Sequence, residues 1–161
     1  MQFGIYNRQD FPEPFLSIDE DGPLAKMASP RTSDLPDVDS RIEALLEAWE
    51  PGRTRGIALT VEELCPGGLD PTDGILIAQA FEKAGAAFII VSAGTADFPV
   101  LKYRRSTQTQ KQPNHAWLAS ACWLVGKVSI PVYAQGYFSS EMEPDLIHQA
   151  KVCGLSGLVR I

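Results

Sequence analysis

Apolar residues fall into two kinds of block along the chain from Ser40 onward. Apolar positions at helical spacing predict helices over residues 42–49, 71–84, 114–125 and 140–153. Short continuous apolar runs, typical of parallel strands buried on both faces, predict strands over residues 56–60, 87–91, 130–134 and 157–161. Because strand and helix alternate, the pattern predicts an α/β fold with a parallel sheet and right-handed crossovers. An open doubly wound sheet and part of a barrel both fit this pattern.

Local signals support the predicted helix ends. Asp70 can cap the helix that follows it, and Pro71 suits the first helical position because its missing N–H costs nothing there. Gly85 can end the same helix in a left-handed turn. Ser140 and Glu143 form a capping-box pattern for the last predicted helix.

Residues 1–39 have a different composition from the rest of the chain. Five prolines are spread among Asp, Glu and Ser residues in this segment: Pro12, Pro14, Pro23, Pro30 and Pro36. Proline removes a backbone donor and disfavours helix in the residue before it, so we expect an irregular, extended N-terminal arm. We expect this arm to lie against its own domain or a neighbouring chain. The predicted organisation is therefore an arm over residues 1–39 and an α/β unit over residues 40–161.

Composition narrows the class of protein. The chain has 161 residues, of which 45% are hydrophobic and 21% charged, as in ordinary globular domains. The formal net charge of −6 argues against nucleic acid or an anionic membrane surface as the main partner. No apolar run reaches the roughly 18 residues of a membrane span, and Arg8 and Asp10 interrupt the start of the chain where a signal peptide is apolar. We therefore expect a cytoplasmic protein.

Cysteine and histidine give little indication of a metal or nucleophilic site. The three cysteines, Cys65, Cys122 and Cys153, are far apart in sequence, and we interpret them as ordinary thiols rather than disulfide or zinc ligands. The two histidines, His115 and His148, exclude a histidine-rich metal site and have no evident nucleophile beside them. The sequence predicts no metal.

Three ordered segments resemble the later part of the Old Yellow Enzyme family of flavin-dependent TIM barrels, and most closely its subgroup of 2,4-dienoyl-CoA reductases and related enoate reductases. The segments are Pro66-Gly67-Gly68-Leu69-Asp70, then Ala80 to Ala86 with Ile90 to Thr95, then Ser129 to Tyr137. Together they span about three quarters of the chain. The resemblance implies a partial TIM barrel of about four βα units with parallel strands, equivalent to the family's fifth to eighth strands.

The family's cofactor binding implies a set of site residues at the strand ends, where the βα loops gather in barrels. FMN phosphate is held there by backbone N–H groups after the seventh and eighth strands, which points to Gly136 with Gln135 and Tyr137 beside it, and to Arg160. A simple tight turn at Gly136 is the alternative. If the phosphate approaches Gly136, a bulky side chain at this position should block it and leave the fold largely intact.

The predicted loop 92–113 and one strand residue bear on the substrate and the chemistry. In the family this loop shapes the substrate pocket, so Tyr103 and Arg104 are candidate contacts for an anionic or acyl-CoA substrate, while a merely solvated charged loop is the alternative. Ala58 stands where the family has an arginine at the pyrimidine edge of the flavin. Alanine cannot supply that charge.

The resemblance implies an origin among FMN-dependent NAD(P)H oxidoreductases of the ene-reductase type. It covers the second half of the barrel, and the family's proton-donating tyrosine and its histidine pair come from earlier strands. We therefore expect a fragment or subunit that is not catalytic alone and that needs another polypeptide or a second copy to complete the barrel. The alternative is a non-catalytic structural or assembly subunit without cofactor, which Ala58 favours.

Overall fold

The structure is a computed structural model that describes residues 3–7, 16–18, 55–62, 70–93 and 115–160. The strands in these ranges are β1 (Gly4–Asn7), β2 (Leu16–Ile18), β3 (Gly56–Glu62), β4 (Phe88–Ala93), β5 (Val132–Gly136) and β6 (Gly157–Arg160). The helices are α1 (Pro71–Lys83), α2 (Ala116–Leu124) and α3 (Glu143–Cys153). The helix predicted over residues 42–49 and nearly all of the predicted loop 92–113 lie outside the described residues.

The six strands form one sheet in the order β1-β6-β5-β4-β3-β2, and each neighbouring pair is parallel. The predicted α/β fold with a parallel sheet is therefore confirmed. The strands that begin near Ile57, Phe88, Val132 and Leu158 lie side by side in chain order, as the sequence predicts. Because each crossover from β3 to β6 steps in the same direction with the same hand, the helices come to lie on one face of the sheet.

The N-terminal segment differs from the irregular arm that its prolines predict. Residues 4–7 pair with β6 and residues 16–18 pair with β3, so this segment supplies a strand to each edge of the sheet. Edge strands present unpaired N–H and C=O groups, which an extended neighbour can satisfy. Residues 4–7 and 16–18 are thus extended and lie against the rest of the described sheet, with regular sheet pairing.

The two faces of the sheet carry different clusters of buried side chains. The helix-facing cluster joins strand residues such as Ile57, Leu59, Ile89 and Val91 to side chains of all three described helices, among them Phe81, Leu118 and Leu146. The opposite cluster contains strand residues alone within the described part of the chain: Ala58, Phe88, Ile90, Tyr133 and Val159, with Tyr6 packed against them. All three described helices therefore cover one face.

Aromatic rings fill the face opposite the helices. Tyr133 meets Tyr6 and Phe88 edge to face, with ring centroids 5.5 and 6.1 Å apart. A side chain at Gly157 would collide with the Tyr6 ring and with the backbone of Gly4, so this corner of the sheet requires glycine. Burial, and secondarily the neighbouring Tyr6, raises the pKa of the Tyr133 hydroxyl. This face is a packed aromatic layer at the level of these residues.

Helix α1 begins and ends where its sequence signals predict. The Asp70 carboxylate accepts hydrogen bonds from the backbone N–H groups of Thr72 and Asp73 at 2.8 and 3.0 Å. Asp73 accepts one in return from the Asp70 N–H at 3.2 Å, which completes a capping box. After the helix, Gly85 has a φ of 96°, the left-handed conformation expected of it.

Helix α3 does not begin at the predicted capping box. Its N-cap is Met142 rather than Ser140, and the Met142 side chain makes no capping hydrogen bond in the described structure. Pro144 explains the difference. A helix capped by Ser140 would place Pro144 where the first intrahelical N–H is needed and would drive its ring against the Ser140 carbonyl. Starting at Glu143 keeps Pro144 in the first turn, where its lack of an N–H is tolerated.

The interpretation of the cysteines as ordinary thiols is wrong for two of them. Cys122 in the last turn of α2 forms a disulfide with Cys153 at the end of α3, with Cα atoms 5.5 Å apart. The pair is separated by 31 residues, and it meets because α2 and α3 pack side by side. Sequence spacing carries no signal for such contact. In the described ranges, none of the helices has the length and apolar character needed to cross a membrane.

Candidate functional site

The carboxyl ends of the parallel strands lie along one edge of the sheet, and the candidate cofactor residues lie on two of them. Gly136 is the last residue of β5 and Arg160 the last residue of β6. The two are direct partners in the pairing register. The structure therefore brings together Gly136 and Arg160, as the sequence analysis expects for neighbouring strand ends.

Gly136 is covered on its helix-facing side by the indole of Trp117, which lies near the start of α2. A Cβ built on Gly136 would fall within van der Waals overlap of three indole atoms, so the ring takes the space that a side chain would need. A bulky residue at this position would therefore have to displace the indole, whatever its effect on ligand binding. The group that lies close to Gly136 is therefore the Trp117 indole of the same chain.

Trp117 belongs to a small aromatic group above the strand ends. Its indole stacks on Phe138, with centroids 5.8 Å apart and planes 21° from parallel, and His115 meets it at 5.6 Å in an edge-to-face contact. Phe138 is buried. Burial lowers the pKa of the His115 imidazole, so the neutral form is favoured in the folded chain. We call Trp117, Phe138 and His115 the aromatic cover.

Arg160 is engaged by residues of the same region. Its guanidinium forms an ion pair with Glu143, the first residue of α3. It also lies 4.9 Å from the centroid of the Phe138 ring, which is cation–π geometry. The Nε atom is buried and has no hydrogen-bond partner within the described part of the chain. The Arg160 charge is thus balanced by a carboxylate and sits over an aromatic ring.

The other candidate residues are separated from this pair. Gln135 is buried, 9% exposed, and its register partner Val159 belongs to the cluster on the sheet face away from the helices. Tyr137 follows β5 and is 73% exposed. Tyr103 and Arg104 lie outside the described residues. The side chains of Gln135 and Tyr137 therefore have different surroundings from each other and from Gly136, and successive residues of a strand face opposite sides of the sheet.

Two polar contacts at the same edge were not among the candidates. The hydroxyl groups of Thr60 and Ser92, at the ends of β3 and β4, are 3.0 Å apart. The Ser120 hydroxyl of α2 donates to the Glu62 carboxylate at 3.0 Å. A signal for the first pair exists in the sequence, since each residue follows directly on an apolar strand run. For Glu62 with Ser120 there is none, because a helix packing contact brings them together.

Ala58 lies where its side chain meets apolar neighbours. It is buried on the face away from the helices, opposite Ile90 in the register, in the cluster that includes Phe88 and Tyr133. A charged side chain at this position would have to be accommodated beside these rings at the cost of desolvation. The position is apolar in its surroundings as well as in its own side chain.

The chemistry available at this edge is that of a charge-balanced cluster in which the Arg160 and Glu143 side chains remain 35% and 25% exposed. Arg160 and Glu143 neutralise each other, the aromatic cover lies over Gly136, and the hydroxyl groups of Thr60 and Ser92 bond to each other. No three His, Cys, Asp or Glu side chains of the described ranges come together as a metal site. An incoming anion would have to displace Glu143 or Trp117 to reach Arg160 or Gly136.

No protein-family model matches the chain, and no curated protein matches it.

Proposed function

We propose that this chain is part of a TIM barrel of the Old Yellow Enzyme type, derived from FMN-dependent NAD(P)H oxidoreductases, that does not catalyse the redox reaction by itself. The observation that carries the barrel origin is the strand order. Strands β3 to β6 lie side by side in chain order, all parallel, with the helices on one face. A barrel has this arrangement, whereas a doubly wound sheet has helices on both faces.

The pairing of β1 with β6 also supports a barrel origin. In a closed eight-stranded barrel the first strand pairs with the last, and here the strand nearest the N-terminus pairs with the strand nearest the C-terminus. Of the segments that resemble the later strands of the family, Ile90 to Thr95 overlaps β4 and Ser129 to Tyr137 contains β5.

Three positions argue that the chain does not hold flavin tightly. Ala58 lies in an apolar layer where the family has an arginine. Gly136, the phosphate-turn candidate, is covered by Trp117, and Arg160 is paired with Glu143. At these three positions the group expected to contact the flavin ring or its phosphate is replaced or already engaged. The protein in such an enzyme binds and tunes the flavin, so weak binding means little redox activity.

The test is a flavin measurement on the purified chain. We expect the purified chain to carry no stoichiometric flavin. When protein is added to a solution of FMN, we expect no saturable change in the flavin fluorescence. Riboflavin, which lacks the phosphate, is the matched ligand, and we expect the two titrations to coincide. Flavin released by denaturation at a one-to-one ratio, or clear preference for FMN over riboflavin, would contradict the proposal.

A second candidate function is a structural or assembly subunit. The aromatic cover favours it, because a site kept for a ligand is usually concave and pre-formed, and here side chains of the chain fill it. The two candidates differ in catalysis after completion of the barrel. If mixing with a polypeptide that supplies the other strands restored NAD(P)H oxidation by an activated alkene, the enzyme subunit would be favoured.

A further inference from the structure

The disulfide joins the two helices that supply the cover over Gly136 and Arg160. Trp117 lies at the start of α2 and Cys122 in its last turn, while Glu143 lies at the start of α3 and Cys153 at its end. One end of each helix therefore covers a strand end, and the other end is tied to its neighbour by the sulfur bridge. The enclosed loop of the chain includes β5.

Helix α3 has fewer stabilising contacts of its own than helix α1. It has 11 residues, buries Leu146 and Ala150, and lacks a side-chain cap within the described structure. Helices of fewer than about 12 to 15 residues are marginal on their own and require packing. Helix α1, by contrast, has 13 residues, a capping box and six buried residues. Loss of the bridge should therefore affect α3 well before α1.

The bridge is also within reach of reagents in solution. Cys122 and Cys153 are each half-buried rather than enclosed in the core. The adjacent residues Trp123 and Val152 are 55% and 73% exposed. A thiol must reach a sulfur atom to begin exchange, and a bridge at the surface permits this.

We propose that Cys122–Cys153 is a reversible redox site that controls access to Arg160. The reductant is a dithiol. One of its thiolates attacks a sulfur of the bridge and forms a mixed disulfide, and its second thiol then displaces the other cysteine. The dithiol is oxidised to a disulfide, and Cys122 and Cys153 each gain one electron and one proton. Once reduced, α3 opens and the Glu143 carboxylate leaves Arg160, so the Arg160 side chain, 35% exposed in the ion pair, becomes more accessible at the end of β6. This inference does not depend on flavin binding.

Hydrogen exchange on the full chain tests the control of access. The protein is compared after air oxidation and after treatment with dithiothreitol. We expect amide exchange of residues 143–153 to be at least about tenfold faster in the reduced protein, because loss of the loop closure favours local opening. Exchange in residues 71–83 should not change. Unchanged exchange in 143–153 overturns the proposal, and so does equal acceleration in 71–83, which would mean that the bridge supports the whole fold.

Chemical labelling gives the second measurement. Arginine-specific modification by phenylglyoxal should be about tenfold faster at Arg160 after reduction, with Arg55, which directly precedes β3 at the opposite edge of the sheet, as the internal reference. Alkylation of the denatured, air-oxidised chain should leave Cys122 and Cys153 unlabelled. If both cysteines are labelled without reductant, the Cys122–Cys153 disulfide does not form, and the proposal is wrong. If Arg160 reacts no faster in the reduced protein than in the oxidised protein, the bridge does not control access to Arg160, and the proposal is wrong.

Variants separate the bridge from side effects of the reductant. Cys122→Ser with Cys153→Ser should show the fast exchange of the reduced protein with and without dithiothreitol, and Cys65→Ser should behave as the parent chain. If the double variant fails to fold, the comparison of oxidised and reduced parent protein still decides. Re-oxidation of the parent must restore slow exchange, and failure to do so contradicts reversibility.

Discussion

Gly136 is glycine because the indole of Trp117 lies against its α-carbon. The same contact could be made by a ligand, and sequence alone does not distinguish the two, since both require a residue without a side chain. In this chain the neighbouring ring belongs to α2, a helix that begins 20 residues earlier at Ala116. The glycine was therefore identified from the sequence as a position of close approach, but what approaches it was not.

Substitution of Gly136 by alanine should destabilise the chain. The added Cβ overlaps the Trp117 ring, and overpacking of this kind costs about 1 to 3 kcal/mol of unfolding free energy. Urea denaturation measures the loss. In a Trp117→Leu background the same substitution should cost clearly less, because the smaller side chain gives way. Equal cost in both backgrounds would show that the indole is not the obstacle.

His115 should make stability depend on pH. Burial lowers its folded-state pKa below the ordinary value of 6.5, so as the pH falls the unfolded chain binds a proton first. Its effect on unfolding free energy is nil above about pH 6.5, and stability decreases as the pH falls from there through the lower folded-state pKa.

The comparison that isolates this effect uses denaturation at about pH 7.5 and about pH 5.5, on either side of the ordinary histidine pKa. His115→Gln should lose less stability between these two values than the parent chain loses. His148→Gln, at the exposed histidine of α3, should keep the parent's dependence. If the unfolding free energies of the parent and of His115→Gln change equally with pH, burial of His115 has no such effect.

At the scale of elements, the sequence predicted helix α1 better than α3, and the reason is local. Asp70, Pro71 and Asp73 determine the start of α1 by contacts within four residues. The start of α3 involves two competing local signals, the Ser140–Glu143 capping pattern and Pro144, and the proline dominates because its ring excludes the earlier start. The bridge between Cys122 and Cys153 depends on helix packing, which no local pattern reports.

The capping box of α1 should contribute measurably to stability. Asp70→Ala removes the acceptor for the Thr72 and Asp73 N–H groups, and we expect a loss of about 1 kcal/mol in unfolding free energy, since a lost N-cap typically costs 0.5 to 2 kcal/mol. Asp70→Asn keeps an acceptor oxygen at the same place and should cost far less. Thermal or urea unfolding of the two variants checks this. An alanine variant as stable as the asparagine variant would contradict the prediction.

For the whole molecule, the sequence predicted the parallel order of β3 to β6 but not the edges of the sheet. Continuous apolar runs identify buried strands, and the runs from Ile57 and Phe88 are of this kind. β1 and β2 are four and three residues long within a proline-rich segment, and they are strands because β6 and β3 offer them unpaired backbone groups. Such pairing depends on distant residues, so local pattern does not reveal it.

The edges lead to a prediction about association. β1 and β2 each pair on one side within the described sheet, and the face away from the helices is apolar and aromatic. Sheet edges and apolar faces favour contact with another chain. We expect a homodimer in solution, and light scattering should give about twice the chain mass of 17.6 kDa. A compact monomer at micromolar concentration would contradict this.

A charge on the edge strand should weaken that dimer. Ile5 lies on β1 and is 37% exposed, so Ile5→Lys places an ammonium group where a second chain would approach. Leu76→Lys, at an exposed position of α1 on the helix face, is the matched control and should leave the mass unchanged. Equal effects of the two substitutions would argue against association through this edge.

The pairing of β1 with β6 has a consequence for how the protein is made on the ribosome. Gly4 pairs with Gly157, so 153 residues, the difference of the two numbers, separate the partners. At about 5 to 20 residues per second, translation leaves the emerging N-terminus without that partner for roughly 8 to 30 seconds. β3 and β4, whose paired residues are 32 positions apart, can meet far earlier. β1 is therefore synthesised before the other described strands and yet is among the last to pair. Chaperones that bind the nascent chain would protect it during that interval.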